Sequence, residues 1–505
     1  MKDFYTVRIN FKGGIASPGE LKYILQAAHE SQVDEVRFGL RQQLILHLPH
    51  YLARPFEQKM LAQSIDFQSD SNEYPNIISS YVAEEVFQKG NWLTEGIYKD
   101  ILDLFDYKPL LKINISDNQQ SFTPYFSGHL NFIASANPNF WYLYIRLPKT
   151  NKVFSFDKLI FSNEIPKLCK FLEEKISLIK SPLPFSGRGD LGRSVATVRE
   201  VAVDQLFSSI PTMISLPKDV ALEPANFTLP YYEGFNRYGK KTWLGIYRRN
   251  EYFSTDFLIK LCELCQETKI GEICLTPFKS LIIKGIDEQS RGKWSNILSE
   301  FNINVRHAAN ELNWQVEDDS DEALRLKLSL VEAFDYQDLR TFGLCFGIKT
   351  RPRTEVYASI MVQRRRFKLF NLVPFHFVYD ISYTEDFNPN GRTKKFFEKA
   401  ILRVNLAEQL RRSVLKYNKM IAENAIKAAG LRDDHKDTEI EKPSTKKVHQ
   451  CKHCFTIYDS DFGDLLNNIP AGVPFSKLPV SYVCPTCEAE KKDFEPQTYK
   501  VLETL

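Results

Sequence analysis

The 505-residue sequence has little of what marks the more specialised classes of protein. Glycine (22) and proline (25) are too few for a collagenous or low-complexity chain. The composition, with 43% hydrophobic and 26% charged residues, indicates a globular protein. The net charge of +3 creates no overall basic field, so no binding to nucleic acid is expected. At about 100–200 residues per domain, the length predicts roughly three to five domains.

Long apolar runs are also missing. The longest stretch without Lys, Arg, Asp or Glu, residues 118–145, is interrupted by Pro124 and Pro138, which argues against a membrane span. Residues 1–11 alternate like a strand and contain no apolar run, so no signal peptide is expected. We therefore predict a cytoplasmic protein without membrane association. In that reducing compartment, clustered cysteines are more often metal ligands than disulfides.

Cysteine is scarce, with nine in the chain, but four of the nine lie in the C-terminal segment 451–505. Cys451 and Cys454 form one C-x-x-C pair, Cys484 and Cys487 form a second, and the segment 455–483 separates the two pairs. Two such turns can present four thiolates to one tetrahedral site, which suits zinc or a single iron. The spacing alone leaves the choice between these metals open.

The residues around the two pairs decide that choice. They read Ile457-Tyr458-Asp459 after the first pair, then IPAGVPF over 469–475, then Tyr482-Val483-Cys484-Pro485. Residues 449–497 thereby resemble rubredoxin, the one-electron carrier with a single iron on four cysteines. The resemblance implies one Fe(Cys)4 centre that cycles between Fe2+ and Fe3+. It also implies an aromatic core made of Tyr458, Phe475, Tyr482 and Phe494.

Three positions depart from the rubredoxin pattern. In the family a glycine usually follows each pair, where it allows a positive φ, but this chain has Phe455 and Glu488 there. Tyr482 stands where the family commonly has tryptophan. None of these departures removes a ligand, although strain and altered hydrogen bonds to sulfur could shift the reduction potential.

An internal repeat is the second strong signal in the sequence. Residues 17–48 align without a gap on residues 254–285, at a constant offset. Matched apolar residues recur first at helical spacing and then in the alternation of strands. Each copy is therefore predicted to form strand, helix, strand, hairpin and strand, and the two small open sheets to cover one another around a pseudo-twofold axis.

This arrangement resembles the sulfite and nitrite reductase family, in which two ferredoxin-like half-domains pair and each is followed by a larger α/β lobe. The short sequence segments that match the family are Gly13-Gly14 with Ser17-Pro18, Leu40-Arg41-Gln42, Pro75-Asn76-Ile77 and Leu111-Lys112-Ile113-Asn114-Ile115. The predicted class is α+β, with a small C-terminal metal domain added. The predicted parts are two ferredoxin-like halves (1–66 and 238–315), two lobes (75–215 and 325–430), a flexible linker (431–448) and a rubredoxin-like domain (449–505).

The cofactor ligands of that family are missing from the body of the chain. There, four cysteines in C-x5-C and C-x3-C hold an iron-sulfur cluster joined to siroheme, but residues 316–450 contain only Cys345. No 4Fe-4S cluster is therefore expected, and sulfite or nitrite reduction is disfavoured. Cys262 and Cys265 form another C-x-x-C, but they lie on or beside the apolar face of a predicted helix, so we predict buried core residues.

Basic residues are the remaining candidates for a site in the body. The family binds its anion with four basic side chains, of which Arg41 and Lys112 match, whereas Pro75 and Leu110 replace the other two. The alternative for Arg41 and Lys112 is a plain structural or solvated charge.

A basic stripe follows later in the chain. Residues 340–370 contain eight Lys or Arg against one acid, Glu355. Arg351 and Arg353 in this stripe are candidates for binding an anion or a tetrapyrrole. Docking of the acidic 451–505 segment and an ordinary solvated face are the alternatives.

The leading hypothesis is an electron-transfer protein whose rubredoxin-type iron is tethered to a reductase-like body. The iron would relay single electrons from a donor protein to a partner reductase, such as one of nitrite or sulfite assimilation. One alternative is a siroheme-containing nitrite or sulfite reductase-like oxidoreductase without the usual cluster. The other is a zinc-ribbon scaffold protein.

Overall fold

The structure is a computed structural model that describes residues 4–87, 92–148, 150, 152–179, 203–211, 213–351, 355–369, 373–391, 394–428 and 445–500. The chain divides into two compact units, residues 1–422, called the body, and residues 423–505, called the C-terminal unit. Most of the predicted linker, residues 431–444, lies outside the described residues. The finer domain boundaries within the body remain a prediction.

The main helices of the described chain each bury apolar side chains. They are α1 (Pro18–Glu30), α2 (His50–Ala62), α3 (Glu95–Asp103), α4 (Ile165–Ile179), α5 (Thr255–Glu267), α6 (Arg291–Glu300), α7 (Ala309–Leu312), α8 (Asp321–Tyr336) and α9 (Arg403–Ala428). None of the described helices is both long enough and apolar enough to cross a membrane.

The internal repeat forms two similar half-sheets. The strands of the first repeat are β1 (Phe4–Asn10), β2 (Ile15–Ala16), β3 (Glu35–Phe38), β4 (Gln43–Pro49) and β5 (Gln68–Ser69). Those of the second are β12 (Gly234–Tyr238), β13 (Lys241–Ile246), β14 (Tyr252–Ser254), β15 (Ile273–Leu275) and β16 (Leu281–Ile286). Because α1 and α5 begin and end at positions that the gapless alignment matches, the predicted register of the repeat is confirmed.

The backbone follows the same alignment even in its unusual conformations. Gln32 (φ 61°) and Lys269 (φ 57°) follow the two equivalent helices, and Gln42 (φ 54°) and Lys279 (φ 56°) lie in the two equivalent hairpins. Such left-handed positions are uncommon for residues with a Cβ. Their recurrence shows that the two repeats share turn geometry as well as apolar pattern.

The two half-sheets exchange a strand, which the sequence did not predict. The sheet orders are β14-β3-β4-β1-β5 and β12-β13-β16-β15-β2. Thus β2, just before α1, pairs with β15 of the second repeat, and β14, just before α5, pairs with β3 of the first. Both helices and both sheets contribute to one continuous apolar core, so neither repeat is closed without the other.

Each half-sheet is followed along the chain by a further sheet. The first has the strands β6 (Ile78–Ser79), β7 (Ile113–Ser116), β8 (Leu130–Ala134), β9 (Phe140–Arg146), β10 (Val153–Phe161) and β11 (Ser215–Pro217). The second has β17 (Trp314–Val316), β18 (Phe346–Lys349), β19 (Ile360–Leu369), β20 (Val373–Thr384) and β21 (Lys394–Ile401). In both, the first three strands are parallel and the fourth is antiparallel.

The C-terminal unit is built on a small antiparallel sheet. Its strands are β22 (Thr445–Cys451), β23 (Ile457–Tyr458) and β24 (Phe494–Lys500), with β22 in the centre. A sheet of this size buries little apolar area, so the unit needs another source of stability, such as a bound metal.

Candidate metal centre and cation cluster

The four cysteines predicted as ligands come together in the C-terminal unit. Their Sγ atoms all lie within 4.8 Å of one another. The Sγ atoms of Cys451 and Cys487 are 3.6 Å apart, and those of Cys454 and Cys484 are 3.4 Å apart. A tetrahedral site with metal–sulfur bonds of about 2.3 Å has sulfur–sulfur edges of about 3.8 Å, so the residues present fit a single tetrahedral metal ion.

Two equivalent turns produce this convergence. Phe455 (φ 62°) and Glu488 (φ 63°), the residues after each pair, both adopt the left-handed conformation that glycine usually provides. The amide of Phe455 donates to the carbonyl of Cys451 (3.0 Å), and that of Glu488 donates to the carbonyl of Cys484 (2.9 Å). The chain therefore keeps the turn that a ligand pair requires, at a cost of about 1–2 kcal/mol for each non-glycine residue.

The aromatic core predicted for this unit is confirmed. Tyr458, Tyr482 and Phe494 are buried with Cys451 and Cys484, and Phe475 packs against them. The Tyr482 hydroxyl donates to the Asp464 carboxylate (2.9 Å). Tyrosine can therefore take the place usually held by tryptophan, because its polar end has a partner.

The ligands differ in their exposure and in their polar neighbours. Cys451 and Cys484 are buried, Cys454 is half-buried and Cys487 is exposed. The Thr456 hydroxyl lies 3.0 Å from Cys454 Sγ and 2.8 Å from the Thr486 hydroxyl. Hydrogen bonding from Thr456 lowers the pKa of the Cys454 thiol to about 6, which favours the thiolate form that binds metal.

The cysteines of the body have a different environment. Cys262 and Cys265, on α5, are buried in the core, as predicted, and burial raises the pKa of Cys262 to about 12. Cys345 is also buried, with its Sγ 3.2 Å from the carbonyl of Tyr357. These thiols behave as apolar core groups.

The two basic residues matched to the reductase family also come together, around a residue that the sequence did not single out as a partner. Lys112 Nζ lies 2.6 Å from Glu355 Oε1, and Arg41 Nη1 lies 3.3 Å from Glu355 Oε2. Arg146 Nη2 is 3.5 Å from Glu355 Oε1. We call Arg41, Lys112, Arg146 and Glu355 the cation cluster.

His129 borders this cluster as a neutral acceptor. Its Nδ1 accepts a hydrogen bond from the backbone amide of Lys112 (3.1 Å). Burial, and then the charge of Arg146, lower the pKa of His129 to about 3. Burial alone would raise the pKa of Glu355, but Arg41 and Lys112 hold it below its usual value. The cluster therefore contains an ionised carboxylate among three basic side chains.

The basic stripe does not converge on the cluster as a group. The backbone and side chain of Arg351 contact Glu317, and its side chain also bonds the carbonyl of Asp318. Arg365 pairs with Asp380 across neighbouring strands, with contacts of 2.5 and 2.9 Å. Arg353 lies outside the described residues. In the sequence, the signal for the cluster was Glu355, the only acid in the stripe.

Comparison with known proteins assigns the C-terminal unit. Residues 448–494 match the family model described as rubredoxin. The chain is 42% identical over 62 residues to "Probable Rubredoxin-1" of Methanocaldococcus jannaschii, covering 12% of this chain and 76% of that protein. It is 42% identical over 53 residues to "Probable rubredoxin" of Methanothermobacter thermautotrophicus, covering 10% and 84%. Through this segment, the chain belongs to the rubredoxin family.

Most of the chain also resembles a solved structure. It matches the structure of the Mycobacterium tuberculosis NirA protein with a TM-score of 0.58 and 15% identity, covering 85% of each chain. The predicted fold of paired ferredoxin-like halves and larger lobes is thereby confirmed, and at this identity the match establishes the fold alone. A rubredoxin domain with a four-cysteine site is thus joined to a NirA-like body.

The residues of the body do not fit a siroheme joined to an iron-sulfur cluster in the way the sequence resemblance implies. The lobe that would supply four thiolates has one cysteine, Cys345, and its sulfur faces a carbonyl in the core. The two matched cations, Arg41 and Lys112, already contact Glu355. Within the described part of the chain, the structure therefore assigns thiolate metal binding to the C-terminal unit.

Proposed function

We propose that this protein is a cytoplasmic electron carrier whose single iron, held by Cys451, Cys454, Cys484 and Cys487, passes electrons to a partner reductase. The observation that carries the proposal is the convergence of four sulfurs within 4.8 Å in a rubredoxin-family domain. Such a centre moves one electron per cycle, with Fe2+ oxidised to Fe3+ as the acceptor gains that electron. A site made of four thiolates is also typical of a reducing compartment.

The surface beside the ligands supports exchange with another protein. Cys487 is exposed, and Phe455, which follows the other ligand pair, is 69% exposed. Further apolar side chains of this unit are also open to solvent: Ile457, Phe462, Leu466 and Val483. Exposed apolar groups of this kind favour a transient protein contact, which would bring the acceptor close to the sulfur that is least shielded.

The body is proposed as the part that selects the partner. Its fold provides a large surface, whereas its matched cations are engaged by an internal carboxylate. Nitrite and sulfite assimilation are the proposed settings because of the reductase-like fold. A siroheme reductase without a cluster is the less favoured alternative, because the same cations are no longer open to an anion.

The first experiment is a metal and cofactor inventory of the full chain purified from its native cells. We expect about one iron per chain and a red thiolate-to-iron absorption that bleaches on one-electron reduction. One zinc per chain with negligible iron would replace the proposal with the scaffold alternative. A tetrapyrrole Soret band together with consumption of nitrite or sulfite would support the reductase alternative.

The second experiment tests the relay. Reduced protein is mixed with the nitrite- and sulfite-reducing enzymes of the same cells, and loss of the Fe2+ form is followed by stopped-flow absorption. The matched control is the zinc-substituted chain, which keeps the four ligands and the surface but carries no electron. Equal reduction of the enzyme with iron-loaded and zinc-substituted protein would show that the iron is not the relay.

A further inference from the structure

The cation cluster joins segments that are far apart in the chain. Arg41 lies in the hairpin between β3 and β4, Lys112 precedes β7, and Arg146 ends β9. Glu355 comes from the connection between β18 and β19, in the second large lobe. One carboxylate from the second half of the body therefore binds three cations from the first half.

The carboxylate takes a central position in this group. Oε1 of Glu355 is 2.6 Å from Lys112 Nζ and 3.5 Å from Arg146 Nη2, while Oε2 is 3.3 Å from Arg41 Nη1. The Glu355 side chain is 17% exposed and that of Arg41 is 7% exposed. Charges this sheltered are costly to leave unpaired, so the occupant of the central position matters for folding.

Backbone carbonyls accept from further donors of the two arginines. Arg41 donates to the carbonyls of Asn76 (2.6 and 3.0 Å) and Ile113 (3.0 Å). Arg146 donates to the carbonyls of Gly128 (3.0 Å) and Ser127 (2.5 Å). Beside these bonds, the Glu355 carboxylate accepts from Arg41 Nη1 and from Arg146 Nη2, so one carboxylate serves both guanidinium groups.

We propose that the cation cluster is a site for a small oxyanion or carboxylate that is permanently filled by Glu355. The body thus carries its own anion, and this anion links the two halves of the body in place of an external ligand. This inference does not depend on the iron of the C-terminal unit.

Two probes make the test specific to the body. All five tryptophans of the chain lie between residues 92 and 314, so tryptophan fluorescence reports unfolding of the body. The visible iron–thiolate band reports the C-terminal unit. Thermal unfolding of the full, iron-loaded chain is recorded for wild type, Glu355→Ala and Glu355→Gln, with added formate or sulfate and with sodium chloride at equal ionic strength.

For Glu355→Ala, we expect a lower midpoint of the tryptophan transition and a saturable rise of several degrees with formate, which can replace the missing carboxylate. Glu355→Gln keeps the size of the side chain but not its charge, so its midpoint should fall without rescue by formate. In the wild type, formate and sulfate should have no effect beyond that of chloride. The visible band should not change in any variant.

The matched control is Glu408→Ala. Glu408 also accepts from two arginines, Arg411 (2.8 Å) and Arg412 (3.2 Å), but it lies on the exposed face of α9 and is 41% exposed. Because water solvates its partners, formate should have no effect there.

Two results would overturn the inference. One is a saturable rise of the wild-type midpoint with formate or sulfate above the chloride control, which would mean that the site is open. The other is a Glu355→Ala midpoint that does not respond to formate. If Glu355→Ala fails to fold, an unchanged midpoint in Glu355→Gln would overturn it, and a lowered one would support it.

Discussion

Like charges converge in two regions of this protein, and the opposite charge that each one meets comes from a different source. In the C-terminal unit, four thiols lie within 4.8 Å of one another, and an ion from outside the chain must balance their charge when they ionise. In the body, three cations converge on Glu355, which the chain itself supplies. The first arrangement requires a metal, whereas a side chain of the protein already occupies the centre of the second, which is why we assign the chemistry to the smaller region.

The same contrast separates the two C-x-x-C motifs. Cys451 and Cys454 lie on a turn closed by a left-handed residue, so both sulfurs face one point. Cys262 and Cys265 have the same spacing on α5, but helical geometry directs them into the apolar core between the repeats. Spacing alone thus does not define a ligand pair.

The largest expected effect comes from removing a buried ligand. Cys484→Ser should abolish stoichiometric iron binding and unfold the C-terminal unit, because metal binding at such sites contributes on the order of 10 kcal/mol to folding. The tryptophan transition of the body should stay unchanged. Iron content and the visible band measure the loss, and Cys262→Ala, which changes the other motif, should keep both. One iron per chain with a wild-type spectrum in Cys484→Ser would contradict the ligand assignment.

The next effect concerns the cation cluster and separates its members. Arg41→Met should destabilise the body by about 3 kcal/mol, since it removes the most buried partner of a sheltered carboxylate. Lys112→Met should cost about 1–2 kcal/mol, because Lys112 makes one side-chain contact to Glu355 and is 27% exposed. Urea unfolding followed by tryptophan fluorescence gives both values. Equal, negligible losses would show that the cluster does not hold the two halves together.

The body should also lose stability as the pH falls. The pKa of His129 is about 3 in the folded body, whereas an unfolded histidine titrates near pH 6.5. Between these values the unfolded chain binds a proton that the folded body does not, so acidification favours unfolding, by about 2 kcal/mol from pH 7 to pH 5. Glu355, with its lowered pKa, adds a further loss of stability as the pH falls below about 5, because an unfolded glutamate begins to bind a proton there while the folded one does not.

His129→Gln serves as the control for this pH dependence. It removes the titrating group, so the urea midpoint of the tryptophan transition should vary less between pH 7 and pH 5. An identical slope in wild type and variant would assign the pH dependence to other groups.

The smallest effect should appear at the sulfur of Cys454. Thr456→Val removes the hydroxyl 3.0 Å from this sulfur. A hydrogen bond from that hydroxyl to the sulfur stabilises the more negative Fe2+ form of the centre. A hydrogen bond worth about 1 kcal/mol corresponds to about 40 mV for one electron, so the reduction potential should fall by that amount. Thr486→Val removes the hydroxyl that accepts from Thr456 (2.8 Å) and so competes with the sulfur for its proton, and this variant should therefore not lower the potential. A spectroscopic redox titration measures both, and an unchanged potential in Thr456→Val would show that the contact does not tune the iron.

Much of the fold could be predicted from the sequence, for physical reasons that can be stated. The helices and strands of the repeat were predictable because apolar periodicity that recurs at a constant offset reflects one face of each element. The rubredoxin site was predictable because four ligands and their turns lie in one short segment, from Cys451 to Cys487. The exchange of β2 and β14 was not, since such short strands carry too little pattern to indicate their partners.

The sequence by itself determined the ligand set, the repeat and the lack of cluster cysteines in the body, because each of these depends on residue type and local spacing. Only the tertiary structure decided that Arg41 and Lys112 meet, and that they meet on Glu355 with Arg146. These residues are up to 314 positions apart, and their convergence depends on how the two halves of the body pack. Pairing of charges across such distances is a property of the folded body, whereas the thiolate site is encoded locally.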